Sequence, residues 1–150
     1  MKKRFFLMFL PVLLFSKNLG VEIGFSPDSF NRKFLEIFYE EDTPIKNLPT
    51  YTTLALGGWS GKYGSGFAAV GEGIKFGDKL FIKCDISLCY ITHTTPHLST
   101  HYQFKDRIRV GYNFNENYSL LFGFIHFSNG GIKKPNSGEN FFVMWLMKKF

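Results

Sequence analysis

A histidine and a serine lie two residues apart in His126-Phe127-Ser128, at the end of an apolar segment with the alternation of a β-strand. In a strand, residues i and i+2 point to the same face. The imidazole of His126 can therefore meet the hydroxyl of Ser128 without help from a distant part of the fold. A base beside a hydroxyl is the arrangement of a serine esterase, in which the imidazole takes the proton as the hydroxyl attacks an ester carbonyl.

The N-terminal segment has the features of a secretory signal peptide. A basic start, Lys2-Lys3-Arg4, precedes an apolar run over residues 5–15, and Ser16 or Gly20 supplies the small residue before a cleavage site. We expect residues 1–20 to be removed on export, leaving one domain over residues 21–150. An uncleaved N-terminal anchor is the alternative.

Charge and cysteine spacing exclude several function classes. Removal of the signal takes four of the 18 basic residues, so 14 face 12 acidic ones, and a net charge of +2 argues against nucleic acid as a partner. If Cys84 and Cys89 share one strand, they face opposite sides about 16 Å apart, too far for a disulfide. The chain has no cysteine or histidine spacing typical of metal sites, and we expect no metal or other cofactor.

Composition and patterning together favour a membrane barrel. Aromatic residues make up 19% of the chain, yet no apolar run after the signal is long enough for a transmembrane helix. Segments with strand alternation are separated by turn residues, and we count eight of them, as in the smallest outer-membrane barrels. These segments are residues 20–26, 32–40, 51–59, 62–76, 79–92, 100–112, 118–128 and 140–150.

The sequence thus predicts an all-β fold, an eight-stranded antiparallel transmembrane β-barrel in the outer membrane. Glycines inside the segments allow tight curvature and leave room in the lumen. The terminal Phe150 resembles the assembly signal of outer-membrane proteins, which makes the barrel assembly machinery an expected partner. A soluble periplasmic β-sandwich shares much of this pattern and remains the alternative fold.

Strand parity predicts where the histidine and the serine lie. With both termini in the periplasm, the seventh strand ends outside the cell, and its even positions are bulky and apolar up to His126 and Ser128. We therefore expect both side chains on the lipid face at the outer leaflet. In the sixth strand, Lys105, Arg107 and Arg109 share the lumen face. Asp106 is then the one carboxylate of that strand on the lipid face.

Three motifs in the second half of the chain carry a family resemblance. They are Phe104-Lys105-Asp106-Arg107-Ile108, His126-x-Ser128-Asn129 and Pro135-Asn136-x-Gly138. Over about residues 100–142 the chain resembles the outer-membrane lipid A 3-O-deacylases (PagL-type). The resemblance implies an eight-stranded barrel that hydrolyses the ester-linked acyl chain at the 3 position of lipid A. It also implies a serine nucleophile, a histidine base, an acidic third member and an asparagine in the oxyanion hole.

Carried over residue by residue, the resemblance makes Ser128 the nucleophile and His126 its base. Asn136 would stabilise the oxyanion, with Asn129 or a backbone amide at Gly131 as helpers.

The resemblance also implies a substrate groove and a set of partners. Phe104 would line the acyl groove beside Phe122 and Phe124. Lys133 and Lys134, in the external loop, could meet lipid A phosphates or be solvated. The expected partners are lipid A as substrate and the surrounding outer-membrane lipid, and a homodimer is left open.

The third member of the triad departs from the family pattern. The family's Pro-Asn-x-Gly-x-Glu ends here in Asn140, and the acid stands one place earlier, at Glu139. If the last loop centres on Lys133, position 140 lies opposite His126 and can contact its imidazole. Glu139 would then face the lumen, towards the arginines of the sixth strand.

Three arrangements could complete the site. Asn140 could orient the imidazole through its amide oxygen, a bulge could turn Glu139 outward, or Asp106 could supply the charge. We favour Asn140 and expect a slower enzyme, because an amide stabilises an imidazolium less than a carboxylate does. The alternative function is a non-catalytic small outer-membrane barrel, structural or adhesive, with a vestigial site. A soluble periplasmic binding protein is the third hypothesis.

Overall fold

A computed structural model describes residues 18–149 as a closed barrel. Each strand pairs antiparallel with the next along the chain, and the last pairs with the first. The strands are β1 (Asn18–Ser26), β2 (Ser29–Asp42), β3 (Thr50–Trp59), β4 (Ser65–Phe76), β5 (Leu80–Ile91), β6 (Tyr102–Asn113), β7 (Tyr118–Ser128) and β8 (Glu139–Lys149). The predicted eight-stranded antiparallel barrel is confirmed. Residues 18–149 include no helix of the length and apolarity needed to cross a membrane.

Most strand bounds lie within a few residues of the prediction. Strand β1 begins at Asn18, so the predicted signal segment overlaps its first residues; residues 1–17 lie outside the described part of the chain. Strand β4 begins at Ser65 rather than at 62, because the chain turns at Gly61, where φ is +109°. The Gly64 amide closes that turn on the Gly61 carbonyl at 2.9 Å. The terminal Phe150 also lies outside the described residues.

The outer surface of the barrel is an apolar belt. Along each strand buried and exposed residues alternate, and the exposed positions carry large hydrophobic side chains. These exposed side chains include Leu35, Ile37, Leu56, Val70, Ile86, Leu88, Ile108, Val110, Phe122 and Leu146. A continuous surface of this kind is stable against lipid chains and unstable in water, as in transmembrane barrels.

Aromatic rings fill the half of the interior that lies under the β7–β8 loop. Phe127 of β7 packs on Trp59 and Phe67 at centroid distances of 5.1 and 5.2 Å, and Phe34 packs on Phe141 of β8 at 4.9 Å. These rings are between 0% and 5% exposed. They hold the ends of β7 and β8 rigidly against β2, β3 and β4.

Paired charges fill the other part of the interior. Arg107 binds Glu22 at 3.0 Å and Glu36 at 2.8 Å, and Arg109 binds Glu40 at 2.6 Å and Asp85 at 2.8 Å. Buried charges require such partners, since unpaired ones are strongly destabilising. Lys83 pairs with Glu40 in the same way, and Lys105 pairs with Glu36.

The inward and outward orientations of the side chains in β5 and β6 agree with those predicted from the sequence. Lys105, Arg107 and Arg109 are buried in the interior, whereas Asp106 lies on the outer face and is partly exposed. Cys89 points inward and Cys84 outward, and both are free thiols. An inward glycine makes the room that was expected of it: a Cβ at Gly73 would lie 2.3 Å from the Tyr51 ring.

Candidate active site

His126 and Ser128 end β7 on the outer face of the barrel. Both are partly exposed, whereas Phe127 between them is fully buried in the aromatic interior. The even positions of β7 face outward, as the alternation predicted. The anchored Phe127 ring therefore fixes the strand so that an imidazole and a hydroxyl stand side by side on the lipid face.

Asn140 holds the imidazole of His126 from the neighbouring strand. His126 and Asn140 are directly opposite in the β7–β8 register, and His126 Nδ1 lies 2.7 Å from Asn140 Oδ1. An amide oxygen can only accept a hydrogen bond, so Nδ1 carries the proton. The neutral ring then has its lone pair on Nε2, the atom that a general base uses.

Glu139 lies inside the barrel and takes no part in this contact. It forms a salt bridge with Arg32 of β2 and accepts a hydrogen bond from Thr95 Oγ1 at 3.2 Å. The predicted lumen orientation of Glu139 is confirmed, but its partner is Arg32 and not an arginine of β6, because those arginines are already bound by Glu22, Glu36, Glu40 and Asp85. The bulge that would turn Glu139 outward is absent from β7–β8, whose register is unbroken up to Phe127↔Glu139.

Asp106 flanks His126 on the other side. It is the direct partner of His126 in the β6–β7 register and shares its outward face. Within residues 18–149 its carboxylate has no hydrogen bond or salt bridge. Directly opposed residues have Cβ atoms about 5 Å apart, so Asp106 places a negative charge beside the imidazole without binding its proton.

The β7–β8 loop uses two of the three expected oxyanion groups for its own structure. Asn129 is fully buried. Its side-chain Nδ2 donates to the Lys133 carbonyl at 2.6 Å, and its side-chain Oδ1 accepts from the Gly131 backbone amide at 3.0 Å. Asn136 differs, since its Oδ1 accepts from the Asn129 backbone amide at 2.8 Å. That bond leaves the Asn136 side-chain NH₂ as a donor, and Asn136 is partly exposed.

The β5–β6 loop, residues 92–101, supports the β7–β8 loop and was given no role from the sequence. His97 Nδ1 lies 2.7 Å from Ser137 Oγ, and the His97 carbonyl accepts from Gly138 N at 3.3 Å. Ser99 Oγ donates to the Lys133 carbonyl at 2.9 Å. The only local signal of this role is a run rich in Ser, Thr and His that lacks strand alternation.

Gly138 also has a role that the sequence did not reveal, in placing the His126 ring. Its φ is +83°, and a Cβ at this position would lie 2.5 Å from His126 Cε1. The backbone of residue 138 therefore packs directly on the imidazole. A glycine is required here both by the left-handed conformation and by the close approach of the ring.

An apolar groove of about 630 Å³ runs along the outer face beside the site. It is lined on the β7–β8–β1 side by Phe122, Phe142, Met144, Ile23, Phe25 and their neighbours. Of the expected groove residues, Phe122 lines it and Phe124 contacts the Phe142 ring, with centroids 5.5 Å apart. Phe104 lies on the opposite side, as the cross-strand partner of Ser128.

Metal ligation has no candidate residues in the described chain. Across residues 18–149 no three His, Cys, Asp or Glu side chains are grouped as metal ligands.

Comparison with known proteins agrees with the fold. The family model described as Lipid A 3-O-deacylase (PagL) matches residues 35–148. A crystal structure of the outer membrane enzyme PagL superposes with a TM-score of 0.74 at 21% identity, covering 89% of this chain and 99% of that one. No curated protein sequence matches the chain. The chain belongs to the lipid A 3-O-deacylase (PagL) family.

Proposed function

We propose that this outer-membrane barrel hydrolyses the ester-linked acyl chain at the 3 position of lipid A, with Ser128 as nucleophile and His126 as base. The observation that carries the proposal is the hydrogen bond between His126 and Asn140 beside Ser128, on the lipid face of a barrel of the deacylase family. Placing a polar pair on the lipid face costs free energy. A substrate that is itself in the membrane gives the reason for this placement.

The first half of the reaction forms an acyl-enzyme. Ser128 Oγ attacks the ester carbonyl while His126 Nε2 takes its proton, and Nδ1–H stays bonded to Asn140. Within residues 18–149 the structure has no hydrogen bond between Ser128 and His126. This bond would form when the bound substrate orders the serine side chain. The tetrahedral oxyanion collapses, the ester C–O bond breaks, and the His126 imidazolium gives its proton to the departing sugar oxygen, which leaves as a hydroxyl.

The second half restores the enzyme. Water attacks the acyl-serine while His126 Nε2 takes a proton from it. Collapse of this intermediate releases the fatty acid and returns the proton to Ser128. One ester and one water thus give one alcohol and one carboxylic acid, and no other reactant is required.

Asn136 is the residue we assign to the oxyanion. Its Oδ1 is held by the Asn129 backbone amide at 2.8 Å, which fixes the side-chain amide and leaves its NH₂ as a donor. A fixed neutral donor of this kind stabilises charge as it develops and needs no reorganisation. The buried Asn129 and the Gly131 amide support the loop that carries Asn136.

The third position of the triad is assigned to Asn140, with Asp106 as a second contributor. Asn140 fixes the tautomer through its amide oxygen but carries no charge. Asp106 carries the charge but makes no hydrogen bond with the ring. We therefore expect an active enzyme that is slower than relatives with a glutamate at this position.

Expression of the full chain in cells with 3-acylated lipid A tests the function. Mass spectrometry of the extracted lipid A should show loss of the 3-linked acyl chain, and Ser128→Ala should abolish the loss. Both proteins should keep the heat-modifiable gel migration of a folded barrel. Unchanged lipid A alongside a well-folded parent protein would favour the non-catalytic barrel.

The N-terminal segment completes the proposal. We infer that the start of the chain is an export signal removed on the way to the outer membrane, as its basic and apolar segments indicate.

A further inference from the structure

Lys33 is the charged residue in the lining of the outer groove. The other lining residues are apolar side chains and glycines. Lys33 lies on β2 at an outward, exposed position, in line with Leu35 and Ile37. A cation at one end of an apolar groove is suited to an amphiphile that carries an anionic group.

The strand register places Lys33 in the row next to the catalytic one. Lys33 is opposite Phe25, Phe25 is opposite Phe142, and Phe142 is opposite Phe124. The neighbouring row contains Asn140 and His126. Lys33 is three strand spacings, or about 14 Å, from Phe124, which lies two residues before His126 on β7, and an extended lysine side chain together with the sugar that carries the phosphate has to span this distance.

Aromatic rings form a continuous surface between the site and Lys33. Phe124 contacts Phe142 at a centroid distance of 5.5 Å, and Phe142 contacts Phe25 at 6.1 Å. Phe25 in turn stacks on Phe30 at 5.2 Å. If an acyl chain packs on these rings, the head group of the same lipid can contact the catalytic pair on one side and the Lys33 ammonium on the other.

The Lys33 ammonium is available to a ligand, and its backbone is fixed. In the part of the chain that the structure describes, it has no carboxylate partner, whereas Arg32 and the interior basic residues are all paired with acids. Its amide donates to Ser60 Oγ at 3.0 Å, and its carbonyl accepts from Ser60 N at 2.8 Å. The Ser60 contacts keep the lysine at the groove without using its charge.

We propose that Lys33 binds a phosphate group of the lipid A molecule whose 3-linked ester lies at Ser128. This inference rests on the proposed function and adds the head-group contact that selects the substrate. A phosphate monoester is a strong acceptor for an ammonium, and the lipid boundary screens the pair less than bulk water does.

Kinetics on two substrates test the proposal with the full-length, folded barrel. The Lys33→Gln variant should lose roughly fivefold to tenfold in kcat/KM on phosphorylated lipid A, mostly through KM, as expected for one lost charge-assisted contact. On chemically dephosphorylated lipid A the variant and the parent should be equal. Lys33→Arg should keep most of the parent activity on the phosphorylated substrate.

Matched lysines serve as controls. Lys62 lies in the β3–β4 connection over the Tyr63 ring, outside the groove. Lys62→Gln should therefore leave kcat/KM unchanged on both substrates. Equal losses of Lys33→Gln on both substrates would mean that Lys33 only anchors the barrel at the interface, and no loss on either would also overturn the proposal. A loss confined to Lys133→Gln and Lys134→Gln would assign the phosphate to the β7–β8 loop instead.

A binding measurement separates this proposal from the proposed function. Ser128→Ala protein is compared with Ser128→Ala/Lys33→Gln protein for binding of phosphorylated and dephosphorylated lipid A in mixed micelles. Weaker binding of the phosphorylated form alone supports the Lys33 contact even if the parent protein releases no fatty acid. Identical binding of both forms by both proteins rejects it, whatever the activity.

Discussion

His126 Nδ1 is hydrogen-bonded to Asn140 Oδ1 at 2.7 Å across the β7–β8 pair. In the triad that we propose, Asn140 takes the position that carries a glutamate in the family pattern, so it would keep the geometry of the third member without its charge. The orienting role and the electrostatic role of a triad acid would then be separate, because Asn140 can supply only the first of them.

Asn140→Glu should raise kcat. A carboxylate at this position keeps the hydrogen bond and stabilises the imidazolium that forms as Ser128 is deprotonated. Loss of the triad carboxylate lowers kcat by about 10⁴ in serine proteases; because Asn140 already fixes the tautomer, we expect a gain of about tenfold to a hundredfold. Release of fatty acid from lipid A by the purified barrel measures it. An unchanged rate would remove the support for Asn140 as third member.

Asp106→Asn should lower kcat about tenfold in the parent protein and less than threefold in the Asn140→Glu variant. The difference between the two effects corresponds to a coupling free energy of roughly 1 kcal/mol between the two positions. Asp106 is opposite His126 on the outer face, and its charge matters most when the other neighbour is neutral. The four proteins of this double-mutant cycle are compared at the same pH and lipid composition. Equal losses in the two backgrounds would show that Asp106 acts independently of the triad.

Strand parity made much of the site predictable from the sequence. Because the period of a strand is two, the alternation in β7 placed His126 and Ser128 outward, and the loop centre at Lys133 placed Asn140 opposite His126. These relationships are local or follow from one hairpin. A shift of the β7–β8 register by one residue would have placed Glu139 opposite His126 instead of Asn140. The length of the loop fixes this register, so it identified the partner of His126.

Contacts between distant segments were not predictable in the same way. Arg32 and Glu139 are 107 residues apart, and neither has a local signal for the other. Only the Phe122 side of the groove was predicted, since the rest of its lining depends on the closing pair of β8 with β1. The docking of the β5–β6 loop on Ser137 and Gly138 depends on loop conformations that alternation does not encode.

The Arg32–Glu139 salt bridge should contribute to stability more than to chemistry. Glu139 is 1% exposed, and Glu139→Gln leaves the Arg32 guanidinium without its carboxylate, a change that costs about 3 kcal/mol for buried pairs. Urea or thermal unfolding in detergent measures the loss, and Arg32→Gln/Glu139→Gln should lose less than the sum of the single changes. Glu41→Gln, at an exposed position of β2, is the control and should change stability little.

The start of β1 at Asn18 moves the expected cleavage from after Gly20 to after Ser16, so we now predict a mature chain that begins at Lys17. Cleavage after Ser16 leaves β1 whole, whereas cleavage after Gly20 would remove Asn18, which pairs with Glu40 of β2 and Lys149 of β8. Intact-mass spectrometry of protein purified from outer membranes identifies the first residue. A chain beginning at Val21 would contradict the expectation and would shorten β1 by three residues.

Gly138→Ala should lower kcat at least a hundredfold, because a Cβ at 138 would lie 2.5 Å from His126 Cε1 and displace the ring from Asn140. Gly131→Ala is a matched control. Its φ of +82° equals that of Gly138 within a degree, yet its Cβ would contact nothing within 4 Å. Both changes carry the same backbone cost of about 1 kcal/mol, so the difference between them isolates the contact with the imidazole. Activity per folded barrel is compared with unfolding midpoints. If both variants lose the same activity, Gly138 acts only through its backbone conformation and has no part in placing His126.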